Sequence, residues 1–250
     1  MLFAGKKALV TGAASGIGRA TAIRFAAEGA SLTIGDRNIA GLEDTAGMIA
    51  AADHTAPVVQ AYDATDYASC RALVDTAARD GLDIVCNIAG LLKWGRSETF
   101  AAEDFDLLMH VNATSVFVIC QAAMPHLLKS KGNIVNTAST AALQGQPYNA
   151  AYSASKHAVA AITKGLAIEY ASAGVRINAI CPGHVITPMT ENTPPPEGVD
   201  WALMMRNAPK LLDGSCAPED IAEMFAFLAS DKARKITGSL FTVDGGQLAG

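Results

Sequence analysis

A chain of 250 residues can hold one large α/β domain or two small ones. Half of its residues are hydrophobic and 17% are charged, which excludes a disordered chain. With 19 Lys and Arg against 24 Asp and Glu, the formal net charge is −5, and no long basic run offers a nucleic-acid surface.

The opening MLFAGKKALVTG has too short an apolar part for a secretory signal. Short β-rich runs then recur along the chain: KALVT, SLTIG, APVVQAY, LDIVCNIAG, NIVNTAS, VRINAICPG and SLFTVDGG. Their continuous apolar character predicts strands of a parallel sheet covered on both faces. Stretches with helical periodicity lie between them, including GIGRATAIRFAAEG and EDFDLLMHVNATSVFVICQAAMPHLLK. No apolar run reaches the ~18 residues of a membrane span. The alternation predicts a single-domain, Rossmann-type, doubly wound α/β fold with a mostly parallel seven-stranded sheet.

The first strand runs into Thr11-Gly12-Ala13-Ala14-Ser15-Gly16-Ile17-Gly18, which opens the first helix. Glycines 12, 16 and 18 let the backbone turn tightly and approach a pyrophosphate at the helix N-terminus, with Ser15 and Ile17 in the same loop. Asp36 follows the second strand, where a carboxylate can accept from ribose hydroxyls and repel a 2′-phosphate. Ser15, where a base could have met that phosphate, points the same way; Arg37 dissents. The reading favours NAD over NADP. Further on, Tyr152-Ser153-Ala154-Ser155-Lys156 puts a phenol and an ammonium at i and i+4 of one helix, about 5–6 Å apart at Cβ. A nearby ammonium favours the phenolate, so the pair suits proton transfer; alone it is also what a chance surface pair looks like.

After the sixth strand, TENTPPPEGVD carries three prolines that preclude regular structure. It reads as part of an insertion at about 187–213. Met189, Trp201, Met204 and Met205 cluster there, either as one face of a short helix or as a mobile lid over an apolar pocket. Trp94 is a second candidate for the pocket wall, and His184 a weaker one. Cys70, Cys86, Cys120, Cys181 and Cys216 are odd in number and scattered without C-x-x-C, which fits buried thiols rather than a disulfide framework or zinc site. The histidines show no metal-ligand grouping, so no metal is expected, and the whole reads as a cytoplasmic globular protein.

TGAASGIG and YSASK together make the chain resemble the short-chain dehydrogenase/reductase family over essentially its whole length. Further matching segments come in the family's order. Asp63 and Ala64 in DATD resemble its adenine contact. Asn87-Ile88-Ala89-Gly90 resembles N-N-A-G beside the adenosine ribose, with isoleucine at the second asparagine. Asn112 in HVNATSVF and Ser139 in IVNTAST match its catalytic asparagine and serine. CPGHVITPM resembles P-G-x-x-x-T, in which Pro182, Gly183, Val185 and Thr187 pass and hold the nicotinamide. The resemblance implies an oxidoreductase with Asn112, Ser139, Tyr152 and Lys156 as catalytic residues. Tyr152 would act as general acid and base, and Lys156 would hold the nicotinamide ribose and tune it. Ser139 would bind the substrate oxygen, and Asn112 would place a water beside Lys156. The substrate expectation is a bulky apolar, cyclic or steroid-like alcohol or ketone. The alternatives are a ketoacyl (acyl carrier protein) reductase, against which Asp36 and the acidic balance count, and a non-catalytic NAD-binding sensor. Two helices with apolar or small residues on nearly every face, together with the family's habit, imply a homotetramer.

Overall fold

The computed structural model describes residues 1–249. Each apolar run becomes a strand and each periodic stretch a helix. In chain order these are β1 (Lys7–Thr11), α1 (Gly16–Ala27), β2 (Ser31–Asp36), α2 (Ile39–Ala51), β3 (Val58–Ala61), α3 (Tyr67–Ala77) and β4 (Ile84–Asn87). There follow α4 (Ala102–Met109), α5 (Ser115–Ser130), β5 (Asn133–Thr137), α6 (Ala150–Tyr170), β6 (Arg176–Pro182), α7 (Pro188–Glu191), α8 (Trp201–Met205), α9 (Pro218–Ala229) and β7 (Leu240–Val243). The seven strands form one sheet in the order β3-β2-β1-β4-β5-β6-β7, and every pairing is parallel rather than most of them.

Helices cover both faces because the strands are apolar on both. One face buries Phe25, Ile34, Leu42 and Phe225 under α1, α2 and α9. The other buries Leu9, Leu73, Val85 and Ile119 under α3 and α5. Phe3 and Phe25 pack ring on ring, centroids 4.4 Å apart, at the base of the first face. The chain reverses its winding between β1 and β4, so the carboxyl ends of those strands open a crevice, where such sheets bind ligands. All five cysteines are buried and free.

The helical pattern over 103–129 forms one helix of 29 residues, Ala102–Ser130, with a π-helical turn at His110–Thr114. An 18-residue window of it has a mean hydropathy of 1.5, which with the helix's length would suit a membrane span, and the reading by apolar runs did not register it. In this fold 56% of that window is buried against the rest of the domain.

A chain of buried polar side chains runs from β4 through β5 to α6 behind the crevice. Asn87 Nδ2 donates to Asn136 Oδ1 (2.9 Å), Asn136 Nδ2 to Thr163 Oγ1 (2.9 Å), and that hydroxyl to the Val159 carbonyl (2.8 Å). All three side chains are buried, so the chain stands or falls together. Asn136→Leu removes two buried hydrogen bonds and is expected to lower the unfolding free energy by about 1–3 kcal/mol. Urea denaturation measures it; an unchanged midpoint would mean the amide chain adds nothing.

Candidate active site

The crevice holds a cavity of about 280 Å³. Its floor is the loop between β1 and α1, which fits a dinucleotide for reasons visible in the backbone. Gly12 has φ +69°, and a Cβ there would stand 2.8 Å from the Ala89 nitrogen. A Cβ on Gly18 would stand 2.1 Å from the Gly12 carbonyl oxygen, so only glycine lets the loop close on the helix. Ser15, at the N-cap of α1, makes no side-chain cap, and the first turn holds no acidic residue. The first amides of α1 are therefore left for an anion from outside the chain. Thr11 fastens the loop to the next strand: its hydroxyl accepts from Ile88 N (2.9 Å) and Ala89 N (3.1 Å).

Asp36 lines the same cavity and accepts from Ala14 N (3.3 Å) and Asn38 N (3.0 Å), with lone pairs to spare for a diol. Arg37 shares that rim. Asp63 Oδ1 accepts from the Thr65 amide and hydroxyl, each at 2.8 Å, and those bonds hold its pKa below the usual value. Ser15, Gly16, Ile17, Ala64, Ala89, Gly90, Pro182, Gly183, Val185 and Thr187 also line the cavity, as their positions at strand ends require.

Ser139, two residues past the end of β5, and Tyr152 and Lys156 on α6 line the cavity. Ser139 Oγ accepts from Ala141 N (3.1 Å), and its own hydrogen lies within reach of the Tyr152 phenol. Lys156 is buried, its Nζ donates to the Thr137 carbonyl (2.8 Å), and it stands 5.7 Å from the centroid of the Tyr152 ring. Without a ligand, burial acts on both groups of the pair. Burial pushes the Tyr152 phenol up to about 12, opposed by a hydrogen bond from Ser139. Burial pushes the Lys156 ammonium down to about 8.

Several expected site residues lie elsewhere. The Asn87 side chain points into the amide chain and not into the cavity, because Asn136 gives it a buried partner. Asn112 is wholly buried behind the wall. Its Oδ1 accepts from Leu91 N (2.7 Å), while its Nδ2 donates to Leu91 O (2.8 Å) and Ser155 Oγ (3.0 Å). Both amide hydrogens are used, so they are not left to hold a water beside Lys156. Ser155, unremarked in the sequence, passes the connection on by donating to the Tyr152 carbonyl (2.7 Å). Of the substrate candidates, Met189 alone lines the cavity. Trp94 Nε1 instead donates to the Thr193 carbonyl (3.2 Å), and exposed His184 pairs with Ser215 Oγ (2.7 Å). Trp201 and Met205 on α8 are 59% and 60% exposed, and Met204 does not reach the wall. Leu91, Leu107, Val111 and Thr190 are apolar or short wall residues the sequence reading missed. Only Thr190 left a signal, at +3 from Thr187 in a reciprocal cap of α7.

The family model described as enoyl-(acyl carrier protein) reductase matches residues 12–247. The 2,5-dichloro-2,5-cyclohexadiene-1,4-diol dehydrogenase LinX of Sphingobium indicum is 39% identical over 99% of this chain and 98% of its own. The 3beta-hydroxysteroid dehydrogenase 1 of Eggerthella lenta is 39% identical over 97% of this chain and 93% of its own. A short chain dehydrogenase from Mycobacterium paratuberculosis, solved bound to NAD, superposes over the full length of both chains with a TM-score of 0.92 at 30% identity. The chain belongs to the short-chain dehydrogenase/reductase family, and it is an oxidoreductase with a site for a nicotinamide dinucleotide.

The depressed Lys156 pKa gives a stability test. Below about 8 both folded and unfolded chains carry this proton, and the folded chain bears the whole burial penalty. Between about 8 and the ordinary 10.5 the folded chain sheds the proton first, so the penalty fades as pH rises. A depression of that size corresponds to on the order of 3 kcal/mol. Lys156→Met, without cofactor, should therefore raise the thermal midpoint at pH 7, with the gain shrinking toward about pH 10. A gain independent of pH would show that burial of the charge is not the cause.

Proposed function

We propose that the protein is an NAD-dependent dehydrogenase interconverting a secondary alcohol and its ketone. The observation carrying this reading is one cavity that joins the glycine loop and Asp36 to Ser139, Tyr152 and Lys156. In this reading nicotinamide supplies the hydride acceptor when bound. Tyr152 holds the proton at its hydroxyl and passes it to or from the substrate oxygen. Ser139 donates its hydrogen to that same oxygen once substrate is bound and stabilises charge developing there. Lys156 keeps a cation beside the phenol and has hydrogens left for ribose hydroxyls. Asn112 fixes the Leu91 backbone and, through Ser155, the turn of α6 that carries Tyr152. Asp36 favours NAD because its carboxylate would meet a 2′-phosphate with like charge.

A cyclic, apolar alcohol is the proposed substrate class. Ile88, Leu91, Leu107, Val111 and Met189 supply apolar wall, and the names of two relatives describe dehydrogenases of a cyclohexadiene diol and of a hydroxysteroid. Segment 187–213 is proposed as the lid over that end. The test follows NADH formation with NAD and alcohols from small linear to polycyclic. Cyclic alcohols should turn over, Tyr152→Phe should lower kcat by at least ~10²-fold, and Asp36→Ser should shift the NADP/NAD ratio of kcat/KM upward by at least ~10-fold. Turnover with NADP alone would make Arg37 the residue that decides the cofactor.

We also propose a homotetramer in the cytoplasm. The outward faces of α5 and α6 leave Phe117, Leu128 and Ile168 at 43%, 39% and 83% exposure, more apolar surface than a lone domain needs to show. Sedimentation at micromolar concentration is expected to give four chains; a stable monomer would sink this.

A further inference from the structure

Tyr148 stands in the left-handed region at φ +60°, in the loop between β5 and α6. A residue with a Cβ is held there only when its surroundings determine it, and such positions gather at clamps and switches. Here the surroundings are explicit. The Tyr148 carbonyl accepts from Gly95 N (2.9 Å), its hydroxyl accepts from Asp200 N (2.9 Å), and Arg96 lies 5.7 Å over its ring. Arg96 in turn donates to the Gly198 carbonyl (2.6 Å). Tyr148 and Arg96 thus hold residues 198–200 from two sides. Trp94 to the Thr193 carbonyl and Gln144 to Asn207 Oδ1 (3.1 Å) are further ties along the same segment.

The ends of the segment are fixed by backbone. Ile186 N donates to the Cys216 carbonyl (3.0 Å), Cys216 N to the His184 carbonyl (2.9 Å), and Lys210 N to the Gly245 carbonyl (2.8 Å). Its middle depends on these side-chain ties. Met189 and Thr190 near its start line the cavity, so the middle of the segment follows directly from residues of that wall.

We propose that Tyr148 is the positioning residue that latches segment 188–207 over the substrate end of the cavity, so that it sets substrate affinity and leaves cofactor binding alone. The left-handed backbone is what aims the phenol at Asp200 while the carbonyl meets Gly95. The latch sits four residues before Tyr152, at the entry to the same helix. This rests on the dehydrogenase reading for its kinetic consequence, though not for its structural one.

Two variants separate the parts. Tyr148→Phe keeps the ring under Arg96 and loses the bond from Asp200; Tyr148→Gly also relieves the backbone. With the alcohol found by the substrate panel, Tyr148→Phe should raise its KM about 3–10-fold, the loss of one hydrogen bond, with KM for NAD unchanged. Tyr148→Gly should raise it at least as far while holding or raising the thermal midpoint, which a merely structural role would not do. Chymotrypsin applied to the protein without ligands should cut at exposed Trp201, Leu211 or Leu212 faster in both variants. That arm needs no activity, so it tests the latch even if the dehydrogenase reading fails. Unchanged cutting in Tyr148→Gly overturns the latch, and so does a rise in both KM values together with a lower midpoint.

Discussion

Lys156 brings an ammonium into a site that is 4% exposed and bonds it to the Thr137 carbonyl. A buried charge is costly unless oxygens surround it, and the depressed pKa records that cost. The remaining hydrogens of the ammonium therefore give the site its demand for oxygen-rich ligands, and the local fold is arranged around that demand. Helix α6 lies against the end of β5 so that the amine reaches a strand carbonyl. Gly90 leaves room beside it: a Cβ there would stand 3.6 Å from Nζ and 3.3 Å from Asn112 Oδ1. Asn112 then fixes Leu91, the next residue, through both of its main-chain groups.

The two ends of the cavity are built differently. The dinucleotide end consists of strand ends and a glycine loop, held by main-chain groups and by Thr11, and a side-chain change there meets backbone at once. The other end takes Met189 and Thr190 into its wall from a segment whose helices α7 and α8 have four and five residues and no buried side chain. Its order comes from polar ties to neighbouring loops. Such a division lets one scaffold keep its cofactor chemistry while the second end varies, which is how a shared fold serves many substrates.

The same division decides what could be read from the sequence. The strands showed because parallel strands buried on both faces are apolar throughout, and the glycine loop because a missing Cβ is written in the letters. Asp36, Ser139, Tyr152 and Lys156 reached the cavity wall because each sits at a fixed offset from a strand or along a helix. The side chains of Asn87 and Asn112 were misplaced because their partners are another buried amide and a main-chain segment, neither of which spacing reveals. Trp94, His184, Trp201, Met204 and Met205 were misplaced because no periodicity fixes the direction of a loop residue. The strain at Tyr148 was invisible for a related reason: backbone dihedrals at a loop tip follow from contacts with Gly95 and Asp200, far off in sequence. The phenol's pKa was read from the charges expected beside it, and the burial that pushes it up leaves no mark in the spacing.

Burial moves Tyr152 and Lys156 toward the uncharged form of each, up to about 12 for the phenol and down to about 8 for the amine. Taken singly, those values describe a poor base beside a weak cation. The two groups share one wall, however, and a charge on either changes the other. An ammonium stabilises a phenolate, and a phenolate makes the ammonium harder to deprotonate, more strongly where water is excluded. A phenolate at Tyr152 would therefore help to hold the Lys156 proton. Positive charge brought in beside the phenol favours the same proton leaving. With the amine anchored on Thr137 and the phenol carried on the same helix, packing holds the two groups side by side, and the i,i+4 spacing is only the part of that arrangement that the letters show.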